Sequence, residues 1–235
     1  MFGKNQIVKQ EKTFNGSIRI KEIFYTLEGE AFAAGEPCTF IRFADCNLNC
    51  SFCDTDFSTN VRAMSIANIL RQVEEVRHKD CRLVSITGGE AFVQAGLSQL
   101  VRKLLANNFD VIIETNGTLW QNEMNDIADN PKLHICCSPK TAKINRSLIP
   151  HISHYKYIIK AGETRKIDGL PNVSALTGNE VLLARPEGAW PVVYLQPMDE
   201  QDEEKNKTNL LWARDLCLEH CFRLSVQVHK IAEVP

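Results

Sequence analysis

Three cysteines on one short segment are the residues of this sequence best suited to hold a metal. Cys46, Cys50 and Cys53 lie within residues 45–55, spaced four and three residues apart. A structural zinc site is closed by four ligands, whereas an iron–sulfur cubane held by only three thiolates keeps one iron open to another ligand. Soft thiolates favour iron–sulfur or zinc over magnesium or calcium. The spacing therefore favours an iron–sulfur cluster over a zinc site.

Two alternatives remain open for these cysteines. In one, Cys38, Cys136, Cys137 or a His completes a zinc site. In the other, the three cysteines only pack as small apolar side chains, which is our interpretation of the remaining cysteines of the chain.

Four polar segments directly follow predicted strands. They are residues 87–90, 114–117, 138–140 and 196–197. Because ligands sit at the carboxyl ends of strands in barrels and open α/β sheets, we expect these segments to converge on one site. Gly88 and Gly89 permit close approach of the backbone to a ligand, and Glu90 suits a positively charged amino group. Each segment taken alone is equally typical of an ordinary polar loop.

Apolar runs of strand length alternate with helical patterns, which predicts parallel βα units and an α/β fold. The predicted strands are residues 18–24, 38–43, 83–86, 111–113, 133–136, 155–159, 192–195 and 224–228. Ser65 is suited to cap a helix that runs to about residue 76, and apolar stripes predict two more helices, over residues 97–105 and 210–217. The length of 235 residues is near the lower end for eight-fold barrels, which span roughly 200 to 400 residues. We therefore predict a partial TIM-type βα barrel.

Composition and charge describe an ordinary globular protein, and we predict a single domain over residues 1–235. The 27 Lys and Arg against 29 Asp and Glu give a net charge of −2, which does not suggest a nucleic acid or a membrane surface as partner. No run without a charged residue is longer than eleven residues, and the N-terminus has no export signal. We therefore expect a cytoplasmic protein, where nine cysteines indicate metal or redox chemistry more than disulfides.

The Cys-x3-Cys-x2-Cys spacing is similar to the signature of the radical S-adenosylmethionine superfamily. In that superfamily three thiolates hold a 4Fe–4S cluster, and the open iron binds the methionine amino and carboxylate groups of S-adenosylmethionine. Gly88-Gly89-Glu90 resembles the superfamily segment that holds the methionine ammonium. Ala91 stands where the family usually has Pro.

Motifs along most of the chain narrow the resemblance to the 7-carboxy-7-deazaguanine synthase family. They are residues 22–24, 29–30, 40–42, 53–55, 114–118, 138–140, 196–197 and 227–230. The resemblance implies a lyase that takes 6-carboxytetrahydropterin through radical ring contraction to 7-carboxy-7-deazaguanine, with loss of ammonia, for queuosine and related deazapurine pathways. It implies a 4Fe–4S cluster, S-adenosylmethionine and Mg²⁺ as cofactors. Family members often have Gln where this chain has Glu28, so a contact through a side-chain amide does not carry over.

The resemblance also implies a role for individual residues, and it assigns the cluster to Cys46, Cys50 and Cys53. The S-adenosylmethionine site comprises Phe52, Cys53, Asp54, Gly88, Gly89, Glu90, Ser138, Pro139, Lys140, Gln196, Pro197, Met198 and Asp199. The substrate site comprises Leu27, Glu28, Gly29, Arg42, Thr87, His229 and Pro235, the last through the terminal carboxylate. Thr55 is the implied magnesium ligand. Ordinary alternatives are a helix or turn cap for Thr55, a surface ion pair for Arg42, a solvated salt bridge for Lys140 and a structural role for His229.

Two competing functions differ in their partners. A glycyl-radical-enzyme activase shares the cysteine spacing but acts on a protein, and a non-catalytic zinc module needs no small-molecule substrate. The family resemblance instead implies a pterin substrate, an electron donor such as flavodoxin, and a homodimer.

Overall fold

The computed structural model describes residues 6–53, 55–57, 59–173, 176, 182–188 and 190–235. In these residues nine strands form one mixed sheet with the order β3-β1-β2-β4-β5-β6-β7-β8-β9. The strands are β1 (Ile18–Leu27), β2 (Pro37–Phe43), β3 (Arg62–Met64), β4 (Leu83–Gly88), β5 (Asp110–Thr115), β6 (Leu133–Cys137), β7 (His154–Ile159), β8 (Val193–Pro197) and β9 (Arg223–Leu224). The helices are α1 (Ile66–Val76), α2 (Leu97–Ala106), α3 (Glu203–His220) and α4 (Val228–Ile231).

The sheet is parallel from β2 through β4 to β9, and its first edge is antiparallel. There β1 pairs with β2 and β3 in opposite directions. In the parallel part, Ile41, Ile86, Ile113 and Ile135 are successive partners across four strands, and each is fully buried. β-Branched side chains suit this position because both sides of a covered parallel strand are removed from water. The expected partial α/β barrel is therefore confirmed, with β3 and β9 as its open edges.

The three long helices lie where the alternation of strands and helices predicts them. Ser65 caps α1, since its hydroxyl accepts a hydrogen bond from the amide of Asn68 at 3.3 Å. The apolar stripe of α2 is buried against the sheet, and α3 packs on β8. Short 3₁₀ turns replace helices after β5 and β6. None of the helices in the described part of the chain is long and apolar enough to cross a membrane.

Two details of the predicted elements were wrong. Residues 224–228 do not form one strand, because β9 ends at Leu224 and Val228 already begins α4. Leu210 and Leu211 were expected to face the core, but both are about two-fifths exposed. The buried face of α3 carries the predicted Ala213, Leu216 and Cys217, together with Asn209, which was not predicted. The short strand β3 was not predicted, because its three residues carry little apolar pattern.

Side chains on the inner face of the barrel are more polar than those on the outer face. Side chains alternate along a strand, so the residue next to one that packs on the outer face points toward the inside of the barrel. Thus Glu114 follows Ile113 on β5, and Lys156 precedes Tyr157 on β7. This polar inner face supplies the floor of the site described next.

Candidate active site

One cavity of about 910 Å³ lies at the carboxyl ends of the parallel strands. Its volume is at the upper end of the roughly 300 to 1,000 Å³ usual for small-molecule sites. All four polar segments that follow predicted strands contribute to its wall, as expected. Of the predicted site residues, the wall includes Leu27, Glu28, Gly29, Arg42, Cys46, Cys50, Phe52, Cys53, Thr55, Thr87, Gly88, Gly89, Ser138, Lys140, Gln196, Pro197, Met198, Asp199, His229 and Pro235.

Two predicted residues are placed differently. The carboxylate of Glu90 is buried behind the wall, and Pro139 lines an adjoining hollow of about 310 Å³ together with Phe52 and Met198. Asp54 lies outside the described residues.

The cysteine loop brings three thiols to the same cavity. Cys46 is 7% exposed, whereas Cys50 and Cys53 are partly buried. Local hydrogen bonds shape the loop: the amide of Cys53 donates to the carbonyl of Cys50 at 3.2 Å, and the amide of Leu48 approaches the Cys46 sulfur at 3.4 Å. An N-terminal segment covers the loop, since the amide of Val8 donates to the carbonyl of Cys46 at 2.9 Å.

The thiol arrangement fits a cubane cluster better than a single ion. In the part of the chain that the structure describes, no three His, Cys, Asp or Glu side chains are arranged to hold one metal ion. A cubane binds each thiolate at a different iron, so its ligands need not converge on one point. Burial raises the pKa of Cys46 to about 12. Burial also raises the pKa of Cys50, although the ammonium of Lys140 opposes this shift. Cationic iron would favour the thiolate forms at these positions.

The proposed spare ligand Cys38 lies at the start of β2, at the opposite end of the strand from the cysteine loop. Cys136 and Cys137 belong to β6 and are buried. Most of the other cysteines pack as expected, but Cys221 is exposed at the end of α3.

Gly88 and Gly89 allow two backbone segments to touch. A Cβ on Gly88 would lie 2.1 Å from the carbonyl oxygen of Phe43, and one on Gly89 would lie 1.7 Å from that of Asp45. The amide of Gly89 donates to the Phe43 carbonyl at 3.1 Å. We predicted that these glycines permit approach to a ligand. The structure shows that they also seat the loop after β4 against the start of the cysteine loop.

The Glu90 carboxylate connects neighbouring strand exits. One oxygen accepts from the Thr115 hydroxyl at 2.7 Å and the other from the Asn116 amide at 2.7 Å. Burial raises the pKa of Glu90 to about 7, although these hydrogen bonds favour the ionised form. Asn116 in turn donates to the side-chain oxygen of Asn47 at 2.9 Å. A chain of polar contacts thus ties the cysteine loop to the exits of β4 and β5.

Lys140 lies beside the cysteine loop. Its ammonium donates to the carbonyl of Ser138 at 3.1 Å and to the Ser138 hydroxyl, and it lies 5.8 Å from the centre of the Phe52 ring. Burial lowers the pKa of Lys140. This environment differs from the solvated salt bridge that was the ordinary alternative for Lys140.

Arg42 combines an ion pair with a position in the cavity wall. Its Nε donates to Glu22 at 2.7 Å, and its Nη1 lies 3.5 Å from the Thr55 hydroxyl. Glu22 thus engages the Nε of the guanidinium, while the terminal nitrogen Nη1 lies toward Thr55. Thr55 caps none of the α-helices in the described residues, whose N-terminal caps are Ser65, Gly96, Asp202 and Gln227.

The loop after β1 and the C-terminal residues meet on another wall. A Cβ on Gly29 would lie 1.8 Å from Nδ1 of His229, so the glycine leaves room for the imidazole. The amide of Val228 donates to the Gly29 carbonyl at 2.9 Å. The Thr26 hydroxyl donates to the backbone oxygen of Pro235, also at 2.9 Å. His229 was expected after a strand, but it lies in α4.

An ionic cluster at the cavity floor was not predicted from the sequence. The Lys156 ammonium contacts the Glu30 carboxylate and lies 2.5 Å from Glu114 Oε1. Glu28 is 3% exposed, and burial together with the nearby Glu114 raises its pKa to about 7. The available signal was a lysine within an otherwise apolar strand, because a buried ammonium requires a partner.

Comparison with known proteins agrees with this fold and site. Residues 40–182 match the model of the Radical SAM superfamily, so the chain is a radical S-adenosylmethionine protein. It is 40% identical over its full length to the 7-carboxy-7-deazaguanine synthase of Rhodospirillum rubrum, all of which the match covers. It is 35% identical to the synthase of Rickettsia prowazekii, over 98% of this chain and 94% of that one. The chain therefore belongs to the 7-carboxy-7-deazaguanine synthase family.

A solved structure has the same fold. The crystal structure of QueE from Escherichia coli matches with a TM-score of 0.64 and 22% identity, over 90% of this chain and 94% of that one. These comparisons favour neither the activase nor the zinc module.

Proposed function

We propose that this protein converts 6-carboxytetrahydropterin to 7-carboxy-7-deazaguanine with loss of ammonia. The observation that carries the proposal is the meeting of the three cysteines, the strand-exit segments and Arg42 around one cavity. Family membership across the full chain supports the same reaction. When bound, a reduced 4Fe–4S cluster supplies the electron that cleaves S-adenosylmethionine to methionine and a 5′-deoxyadenosyl radical.

Residues around the cysteine loop would bind the cofactors. Cys46, Cys50 and Cys53 would hold the cluster. The S-adenosylmethionine segments would be residues 52–54, 88–90, 138–140 and 196–199. Glu90 would contribute indirectly, because its buried carboxylate fixes the loop after β5 and the backbone beside Gly89. Such placement supports binding and orientation, while the difficult chemistry belongs to the cofactors.

Arg42 would bind the carboxylate of the pterin. A guanidinium binds a carboxylate through two parallel hydrogen bonds, and the contact with Glu22 fixes the orientation of this one. Thr55 would provide a hydroxyl ligand to Mg²⁺, with water and the substrate carboxylate completing its shell. Magnesium accepts such a shell because it retains several waters.

The remaining substrate contacts would come from opposite walls. Leu27, Glu28 and Gly29 would contribute through the loop after β1, and Thr87 through its hydroxyl. His229 and Pro235 would close the cavity from the C-terminal side, where Gly29 and Thr26 position them. Excluding water protects a radical from side reactions.

We propose that a flavodoxin-type electron donor reduces the cluster, that the protein works in the cytoplasm, and that it forms a homodimer.

The decisive test uses protein purified without oxygen and loaded with iron and sulfide. Incubation with reductant, S-adenosylmethionine, Mg²⁺ and 6-carboxytetrahydropterin should give 7-carboxy-7-deazaguanine, detected by mass spectrometry. Omitting Mg²⁺ tests the magnesium requirement separately. If the cluster-loaded enzyme cleaves S-adenosylmethionine but forms no deazaguanine, the assignment of 6-carboxytetrahydropterin as substrate is refuted. Purified protein that contains stoichiometric zinc and no sulfide would refute the proposal that the chain is a radical enzyme.

A further inference from the structure

Lys156 places a buried ammonium group at the floor of the cavity. It lies on β7, and its side chain is only 5% exposed. Desolvating an ammonium costs several kcal/mol unless charged partners compensate for the lost water. Glu30 and Glu114 provide that compensation, and both carboxylates border the cavity.

The Glu30 carboxylate is held from several sides. One oxygen contacts Lys156, and the other accepts from Gln196 Nε2 at 2.9 Å and Gln227 Nε2 at 2.8 Å. Burial opposes ionisation of Glu30, but the ammonium of Lys156 outweighs it and lowers the pKa to about 2. Glu30 is therefore a fixed anion at neutral pH.

Glu114 is held by fewer groups. Its Oε1 pairs with Lys156, and its Oε2 accepts from the Thr87 hydroxyl at 3.2 Å. The side chain is 24% exposed, so its oxygens retain room for another hydrogen bond. Through Glu30 and Glu114, Lys156 joins the loop after β1 to β5 and β7.

The floor holds more carboxyl groups than ammonium groups. Glu28 is a third carboxyl beside this pair, and one of its oxygens is buried without a hydrogen-bond partner. Without Lys156, three acidic groups would face one another in a poorly solvated space, where like charges raise one another's pKa.

We propose that Lys156 is a positioning residue for pterin recognition. It holds the Glu30 and Glu114 carboxylates in place, so that their oxygens accept hydrogen bonds from the N–H groups of the aminopyrimidinone ring. Adjacent N–H donors of such a ring match the two oxygens of a carboxylate. Lys156 acts through these carboxylates, because its own side chain is almost fully enclosed. This inference rests on the proposed function.

The test compares Lys156→Met with the wild type in the cluster-loaded enzyme. We expect KM for 6-carboxytetrahydropterin to rise about tenfold or more, the size of one lost charge-assisted hydrogen bond. The affinity for S-adenosylmethionine and the iron content should stay unchanged. The acid limb of the kcat/KM profile should move to higher pH, since Glu30 loses the ammonium that lowers its pKa. Lys132→Met removes a partly exposed lysine outside the cavity wall and is the matched control.

Two further measurements keep the result decisive. Lys156→Arg retains the charge, so its acid limb should stay at the wild-type pH even if the methionine variant folds poorly. Binding of the fluorescent analogue 6-carboxypterin is measured without turnover, and only Lys156→Met should weaken it. This binding measurement tests the role of Lys156 even if the wild type forms no deazaguanine. Absence of that product would refute the proposed function but not the role of Lys156 in pterin binding. The positioning role would be overturned if Lys156→Met left both pterin binding and the acid limb unchanged. It would also be overturned if this variant lost S-adenosylmethionine affinity as strongly as pterin affinity.

Discussion

Cys46, Cys50 and Cys53 show how much a local spacing can specify. Their separation along the chain places all three on one loop after β2, and all three face the cavity. Cys217 has a different setting, since it lies on the buried face of α3. The residue type is the same, and the position in the fold decides whether the thiol can reach a metal.

Cys50→Ala should abolish cluster binding, whereas Cys217→Ala should keep it. The first substitution removes one of three thiolate ligands, and the second removes a packed sulfur at a cost of about 1 kcal/mol. Iron and sulfide analysis after anaerobic reconstitution measures both variants. Equal iron content in the two would contradict the ligand assignment.

Glu28 gives a second prediction at this scale, which concerns pH. Its pKa in the folded protein is about 7, above the ordinary value of 4.5, mainly because it is buried. The folded state therefore keeps a proton that the unfolded state releases, and Glu28 lowers stability as the pH rises from about 4.5 through 7. Glu28→Gln removes this titration. The stability gain of Glu28→Gln over wild type, measured as the free energy of unfolding, should be about 1 to 3 kcal/mol larger at pH 8 than at pH 5.

Urea unfolding at the two pH values measures this difference. Glu219→Gln, on the exposed side of α3, is the matched control and should show no such gain. A Glu28→Gln effect that is the same at both pH values would contradict burial as the cause.

At the scale of elements, the loop after β4 depends on backbone contact with the cysteine loop. Gly89→Ala would place a Cβ against the Asp45 carbonyl, a neighbour that cannot rotate away. We expect a loss of about 2 kcal/mol or more in the free energy of unfolding, together with reduced cluster loading. Urea unfolding and iron analysis measure the two effects.

Gly162→Ala is the control that separates a steric clash of the added Cβ from backbone strain alone. Gly162 has a φ of +80°, but a Cβ at this position would meet no atom within 4 Å. Alanine there should therefore cost about 1 kcal/mol, the strain of its backbone conformation alone, and spare the cluster. Full cluster loading in Gly89→Ala would show that the contact with Asp45 is dispensable.

The wrong strand prediction for residues 224–228 has a tertiary cause. The alternation of residues 224–228 fits a strand, but Ser225 is buried through contacts with the loop after β1, and its hydroxyl accepts from the amide of Ala31 at 2.9 Å. The amide of Val228 bonds to Gly29 in the same loop. Contacts with a distant segment thus override the local pattern, as tertiary context does for β-propensity in general.

At the scale of the whole molecule, the proposed homodimer gives a prediction of mass. Sedimentation equilibrium of the cluster-loaded protein should give twice the chain mass of 26.6 kDa. Measurement over a range of protein concentrations tests whether the mass follows an association equilibrium. A value of one chain mass at all concentrations would contradict the dimer.

The sequence alone determined the features that depend on neighbours along the chain. Cysteine spacing, strand alternation, the Ser65 cap and the polar segments after strands predicted the α/β barrel and most of its cavity wall, because each is a local covalent pattern. Only the tertiary structure decided which distant groups meet. Lys156 and Glu30 are 126 residues apart, and Thr26 and Pro235 are 209 apart. No local pattern encodes such pairs, since the folding of the sheet brings them together, and the charge of the cavity floor depends on them.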